Sequence, residues 1–214
     1  MTARRAPLEA IAGARVVHEP GLSEDEIDAL GMPGRVPGEI RDLLRATRGF
    51  AIDDVEITLT GACGLDQVFP YAVVLANDGA GNEWVCDVRS TGAWDRVYFA
   101  SHDPPEISVA APDLATFLAD AIGGWLEPPT FRETPALVDP GSSPDPIVRE
   151  LAERAGEELD LFDLRDAPVG AGFDWARAGP TNRIVRAHDA AIWAVERQRP
   201  GFFARFCARL FGAR

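Results

Sequence analysis

The sequence predicts an α+β fold, because helical and strand patterns follow one another along the same chain. Apolar residues recur at helical spacing in segments that begin near Ser23 and Pro37, and again from Pro112 to Ile122. Between these segments, period-two alternation and dense turn residues indicate antiparallel strands. With 214 residues, 46% of them hydrophobic, the chain is long enough to bury a substantial core.

The two predicted N-terminal helices have recognisable start signals. Ser23 with Glu26 three residues later forms a capping box, so the first helix should begin at Ser23 and end by Gly31. Pro37 suits the first turn of the second helix. Its apolar residues, Ile40, Leu43 and Leu44, share one face.

The middle of the chain predicts a meander of strands. Val55, Ile57 and Leu59 alternate with polar residues, as in a half-buried strand. The apolar run 71–76, the turn-rich stretch 77–82 and the alternating segment 83–88 predict a hairpin, and 96–100 adds a third antiparallel strand. The alternation assigns Glu83 and Asp87 to one face, opposite Trp84, Cys86 and Val88.

Six prolines between Glu127 and Pro146 predict a linker that divides the chain. We expect an α+β domain over 1–126, a Pro-rich linker over 127–146 and a mainly helical C-terminal extension over 147–214. Within the extension, 146–164 and 181–197 suggest helices. Phe202–Phe211 suggests a basic amphipathic helix that packs on the acidic body, with a membrane surface as the alternative.

The charge is strongly acidic and unevenly spread. The net charge is −13, yet eight arginines lie from Arg177 onward against two acidic residues, Asp189 and Glu196. An acidic body repels nucleic acid and attracts basic partners, although solubility alone also explains acidity. No apolar window reaches membrane-spanning length, and the first residues lack a secretory signal. We therefore predict a cytoplasmic protein that binds neither nucleic acid nor membrane.

A series of short motifs runs from Leu22 to Ile122: Val36-Pro37-Gly38-Glu39-Ile40-Arg41-Asp42-Leu43-Leu44, Asn77-Asp78-Gly79-Ala80-Gly81-Asn82, Asp87, Val97-Tyr98-Phe99, His102-Asp103 and Leu114-Ala115-Thr116-Phe117-Leu118. Their order and spacing resemble the SUKH superfamily of Smi/Knr-type proteins, although Arg48-Gly49 stands where that family has Asn-Gly. The resemblance implies an α+β fold with a curved antiparallel or mixed sheet flanked by helices. It also implies an immunity protein that neutralises a bacterial toxin, while other members resemble scaffolds or regulators.

Turn and strand positions select seven candidate residues for contact with a basic toxin domain: Asp78, Asn82, Glu83, Asp87, Trp94, His102 and Asp103. Two alternatives stay open, an ion or phosphate cradle in the glycine-rich turn and an enzyme that uses His102 with Asp103. Three scattered cysteines and three scattered histidines have no metal-ligand spacing. We predict a binding protein without cofactor or metal, not an enzyme; the sequence indicates no oligomeric state.

Overall fold

The computed structural model describes residues 16–52, 55–65, 68–123, 126–156, 158–176, 183–187 and 189–197. The helices in these ranges are α1 Glu24–Ala29, α2 Gly38–Ala46, α3 Leu114–Ile122, a 3₁₀ helix Pro140–Ser142, and α4 Pro146–Ala155. None of these described helices has the length and apolar character needed to cross a membrane.

Thirteen strands form three sheets in the described part of the chain. The first sheet joins β1 Val16–His18, β2 Gly49–Ile52 and β3 Val55–Thr58. The main sheet has the order β4-β5-β6-β7-β8-β11-β9, with β4 Gly61–Ala62, β5 Val73–Asn77, β6 Glu83–Val88, β7 Trp94–Ala100, β8 Glu106–Ala111, β9 Arg132–Glu133 and β11 Ala171–Asp174. The third sheet has the order β10-β13-β12, with β10 Leu159–Asp163, β12 Ile184–Arg186 and β13 Ile192–Glu196.

The main sheet is covered on both faces. On one face, Trp84, Cys86 and Val88 pack with residues of α1, α2 and α3 in the first core. On the other face, Val85 and Tyr98 pack with aromatic residues of the third sheet and of β11 in the second core. A smaller third core lies between α4 and the outer side of the third sheet. The architecture is therefore layered, with helices outside and two sheets between them.

The α+β prediction is confirmed, together with the main local signals of the first half. Ser23 and Glu26 form the predicted capping box at the start of α1, and Asp113 caps α3. β5, β6 and β7 are consecutive antiparallel neighbours, as the hairpin pattern predicts. Gly79 and Gly81 in the intervening turn have positive φ values of 74° and 94°, a conformation that glycine adopts without steric cost.

The prediction of a mainly helical C-terminal extension over 147–214 is wrong for the described residues. α4 ends at Gly156, whose φ of 81° breaks the helix, and the chain continues as β10. The segment 181–197 contains β12 and β13 instead of a helix. β13 is buried on both faces, and such a short apolar run has no alternation to distinguish it from a buried helix. The helix predicted at Phe202–Phe211 lies outside the described residues.

The predicted linker at 127–146 does not separate independent domains. β9 lies within it and pairs with β11, and β11 pairs with β8 of the main sheet. Ala136 and Leu137 also pack against the second and third cores. The Pro-rich segment therefore packs against the rest of the protein. Residues that precede it and residues that follow it share the second core.

A buried ion pair joins the main sheet to the third sheet. The guanidinium of Arg186 on β12 donates to both carboxylate oxygens of Asp87 on β6, with 2.7 Å between Nη1 and Oδ1. The two side chains are only 9% and 2% exposed. The guanidinium carbon also lies 4.9 Å from the centroid of the Trp193 ring, within the range of a cation–π contact. Charges buried this deeply require each other, because neither has water to solvate it.

We predict that Asp87→Ala lowers the free energy of unfolding by about 3–5 kcal/mol, because it leaves the Arg186 charge buried and unpaired. The control is Asp95→Ala, which removes the partner of Arg89 in a more exposed pair and should cost less than about 1 kcal/mol. Urea-induced unfolding of the two variants gives both values. Equal, small losses would contradict the account of this pair.

Candidate protein-interaction site

The turn between β5 and β6 is folded around the carboxylate of Asp78. Its Oδ1 accepts hydrogen bonds from the backbone N–H groups of Ala80, at 2.8 Å, and Asn82, at 3.1 Å. Partial burial raises the pKa of Asp78, but the hydrogen bonds from Asn82 and Ala80 outweigh it and hold that pKa below its ordinary value. The Asp78 carboxylate therefore stays charged and fixes the shape of an exposed loop.

Asn82 connects this turn to the loop that follows β7. Its Nδ2 donates to Asp78 Oδ2 at 2.6 Å, which orients the amide so that Oδ1 faces His102. Oδ1 accepts from the His102 backbone N–H at 3.1 Å and lies 3.2 Å from His102 Nδ1. Because an amide oxygen only accepts, the contact with Nδ1 is a hydrogen bond when the neutral ring carries its proton on Nδ1, which leaves the lone pair on Nε2.

Gly81 allows this close approach of turn and imidazole. A Cβ atom at this position would lie 3.2 Å from His102 Nδ1, tighter than ordinary van der Waals contact. The positive φ of Gly81 adds a second reason for glycine. The turn and the loop are therefore held as one unit, which we name the loop cluster and define as residues 77–83 and 101–103.

An open pocket of about 180 Å³ lies beside the loop cluster. Its walls include Leu65, Glu83, Ser101, His102 and Trp175. The Trp175 indole N–H donates to the carbonyl oxygen of Ser101 at 3.1 Å, which fixes the ring against the start of the loop. We refer to this cavity as the Glu83 pocket.

Glu83 brings a carboxylate into the pocket wall. Its side chain makes no hydrogen bond or ion pair with any residue in the described ranges. Partial burial raises its pKa above the ordinary value, and no cation within the part of the chain that the structure describes offsets the effect. At neutral pH the pocket therefore contains a carboxylate whose charge is only partly solvated.

Five of the seven predicted contact residues come together at this place. Asp78, Asn82, Glu83, His102 and Asp103 all belong to the loop cluster. Four of them are linked through the turn or border the pocket, whereas Asp103 is exposed beside His102. Residues that are remote in sequence meet here because β6 and β7 are paired, with Glu83 opposite Ala100.

The prediction that Asp87 is a surface contact residue is wrong, whereas Trp94 lies outside the loop cluster, is only partly buried and stays a prediction. Asp87 is 1% exposed and bound to Arg186. Trp94 packs against the first core, and its indole nitrogen is buried without a hydrogen-bond partner in the described part of the chain. The alternation pattern located the faces of β6 correctly, but the third sheet covers the face that we expected to be solvated.

Sequence reasoning missed Trp175, which forms a wall of the pocket. It lies 74 residues beyond its hydrogen-bond partner Ser101, after the stretch expected to be a linker. Its position is set by β11, which pairs with β8 and places Trp175 next to the end of β7. No local pattern around Trp175 indicates this long-range pairing.

The site also bears on the chemical alternatives. Asn82 is the hydrogen-bond partner of the His102 ring, and within the described ranges no hydrogen bond joins His102 to Asp103. The glycine-rich turn directs two of its N–H groups at Asp78, so these are already used. Over the same ranges, no three His, Cys, Asp or Glu side chains are grouped to hold a metal ion.

We predict that Glu83→Gln stabilises the isolated protein at neutral pH by less than about 1 kcal/mol, because it removes a partly desolvated charge. The folded-state pKa of Glu83 is raised, so the native protein loses stability as pH rises through it. The advantage of the variant should therefore grow from about pH 4 to pH 7.

Thermal unfolding across that pH range measures the difference. Glu56→Gln, at an exposed glutamate on β3, is the matched control and should stay within about 0.5 kcal/mol of the wild type. A glutamine at position 83 that destabilises the protein at neutral pH would contradict this description of the pocket.

A second prediction concerns the His102 ring. When the imidazole of His102 is neutral, its proton should reside on Nδ1 in the wild-type protein. Asn82→Ala should shift the tautomer population towards the form protonated on Nε2, because the acceptor, Asn82 Oδ1, is lost. The ¹⁵N chemical shifts of the imidazole report the two tautomers directly. A ring protonated on Nε2 in the neutral wild-type protein would show that Asn82 does not orient it.

Comparison with known proteins adds no relative to this picture. No protein-family model matches the chain, and neither a curated protein nor a solved structure matches it significantly.

Proposed function

We propose that this protein is an immunity-type binder that neutralises a basic bacterial toxin domain by covering its working surface. The loop cluster and the Glu83 pocket are the contact surface in this proposal. The single observation that carries it is an exposed loop pair, prearranged by Asp78 and Asn82, beside a carboxylate that has no ion-pair partner among the described residues. The protein would act in the cytoplasm, where it meets the toxin before damage occurs.

Charge supports a basic partner. The chain has 34 acidic residues against 21 basic ones, and Asp78, Glu83 and Asp103 add negative charge at the loop cluster itself. Opposite charges accelerate encounter and exclude partners of the wrong sign. A basic toxin domain would therefore be attracted to this edge of the main sheet.

Prearrangement supports a binding role for the loops. Asp78, Asn82 and His102 already hold each other, so little conformational freedom is lost when a partner docks. The resemblance of the motif order to the SUKH superfamily supports the same role, since immunity is the function it implies. The turn 77–82 and the pair His102-Asp103 belong both to those motifs and to the loop cluster.

Two other functions follow from the same features. A scaffold or regulatory protein would use an equivalent contact surface with a partner that is not a toxin. An enzyme would use the oriented imidazole of His102, whose Nε2 is free to accept a proton in the neutral ring. The identity of the partner distinguishes a scaffold or regulator from an immunity protein. The effect of His102→Ala distinguishes an enzyme from a binding protein.

We predict that co-expression of this chain rescues cells from the toxin encoded beside its gene, and that the two proteins copurify. His102→Ala should leave the affinity within about 1 kcal/mol if this ring is peripheral to binding. Rescue that disappears in His102→Ala while copurification persists would favour the enzyme. Absence of both rescue and copurification would remove the immunity proposal.

A matched pair of charge insertions tests the location of the surface. Ala80→Arg places a long cation at the exposed tip of the turn, whereas Ala119→Arg places the same group on the exposed side of α3. Like-charge repulsion and steric hindrance should weaken binding at least about tenfold for the first variant and less than twofold for the second. Equal effects in a titration by calorimetry would place the interface elsewhere.

A further inference from the structure

The Glu83 pocket has the parts of a site for one cationic side chain. Glu83 supplies a carboxylate, and the indole of Trp175 forms another part of the wall. The pocket is open to the surface beside the exposed turn, so a residue that protrudes from a docked protein can enter it. The cavity of about 180 Å³ is small, which restricts it to a side chain or a group of similar size.

The charge of the pocket is unbalanced in the isolated protein. Among the described residues, the carboxylate of Asp87 is buried, and Arg186 neutralises it. Glu83 has no such partner in the described part of the chain, although it is only partly exposed. His102 is the other titratable side chain on the pocket wall, and its Nδ1 faces Asn82. A cation supplied by a bound partner would complete the electrostatics of the cavity.

The walls are rigid enough to select the shape of that cation. Trp175 is held through its indole N–H by Ser101 and through its backbone N–H by Pro105, at 3.1 Å and 2.9 Å. A planar guanidinium can stack on an indole face and donate two parallel hydrogen bonds to a carboxylate at the same time. A lysine ammonium offers a point charge without this planar fork.

We propose that the Glu83 pocket receives an arginine side chain of the bound protein partner, with Glu83 pairing the guanidinium and Trp175 packing against it. The assignment of the arginine to a partner protein rests on the proposed function. Glu83 then acts as a specificity-determining residue: its charge is costly in the free protein and is balanced only in the complex.

The test needs no toxin and uses the full chain. Acetyl-arginine methylamide is titrated into the ¹⁵N-labelled protein, and acetyl-citrulline methylamide, its neutral isostere, is titrated separately. We expect the arginine compound to shift the indole N–H signal of Trp175, identified with Trp175→Phe, and the amide signal of His102 at millimolar concentrations. The citrulline compound should bind at least about fivefold more weakly, because it lacks the charge.

Two variants give the matched comparison. Glu83→Gln should reduce the affinity for the arginine compound at least about fivefold, whereas Glu56→Gln should leave it unchanged. Equal shifts with the two compounds, no shift with either, or full affinity in Glu83→Gln would overturn the proposal. If the toxin copurifies but the arginine compound does not bind, only the assignment of an arginine to the pocket is refuted. If the arginine compound binds but the toxin does not copurify, only the toxin proposal is refuted.

Discussion

The pairing of Asp87 with Arg186 determines what the second face of the main sheet can do. It draws the third sheet onto β6, and Trp193 and Phe69 pack around the guanidinium. Without that cover, apolar residues of this face such as Val85 and Tyr98 would be exposed to water. Covered in this way, the face becomes a core, and the Glu83 pocket lies at its margin near the start of β6.

The candidate site follows from that coverage. Glu83 and Asp87 lie on the same strand. Asp87 is paired with Arg186, whereas Glu83 has no ion-pair partner among the described residues. Glu83 is the first residue of β6, and Trp175 shares the pocket wall with it. The loop cluster then adds a rigid, exposed rim. A contact surface at this margin has a shape that internal hydrogen bonds maintain. It also includes the carboxylate of Glu83, which has no ion-pair partner among the described residues.

The sequence predicts the first half well because its signals are local. A capping box at Ser23 and the glycines of the turn 77–82 each act within a few residues, and each is found in the structure. β13 was predicted as part of a helix because burial on both faces removes the alternation that marks a strand. Five of the predicted contact residues lie together, as their positions in turns suggest. The prediction for Asp87 is wrong because its ion-pair partner, Arg186, is 99 residues away in the sequence.

Hydrogen–deuterium exchange of the protein with and without the toxin proposed as its partner tests the central claim most directly, because it maps the contact surface without any substitution. The account predicts new protection at residues 77–83 and 101–103, with α1, α2 and α3 unchanged. Protection confined to the helical face, or none at the loop cluster in a complex that is demonstrably formed, would contradict it.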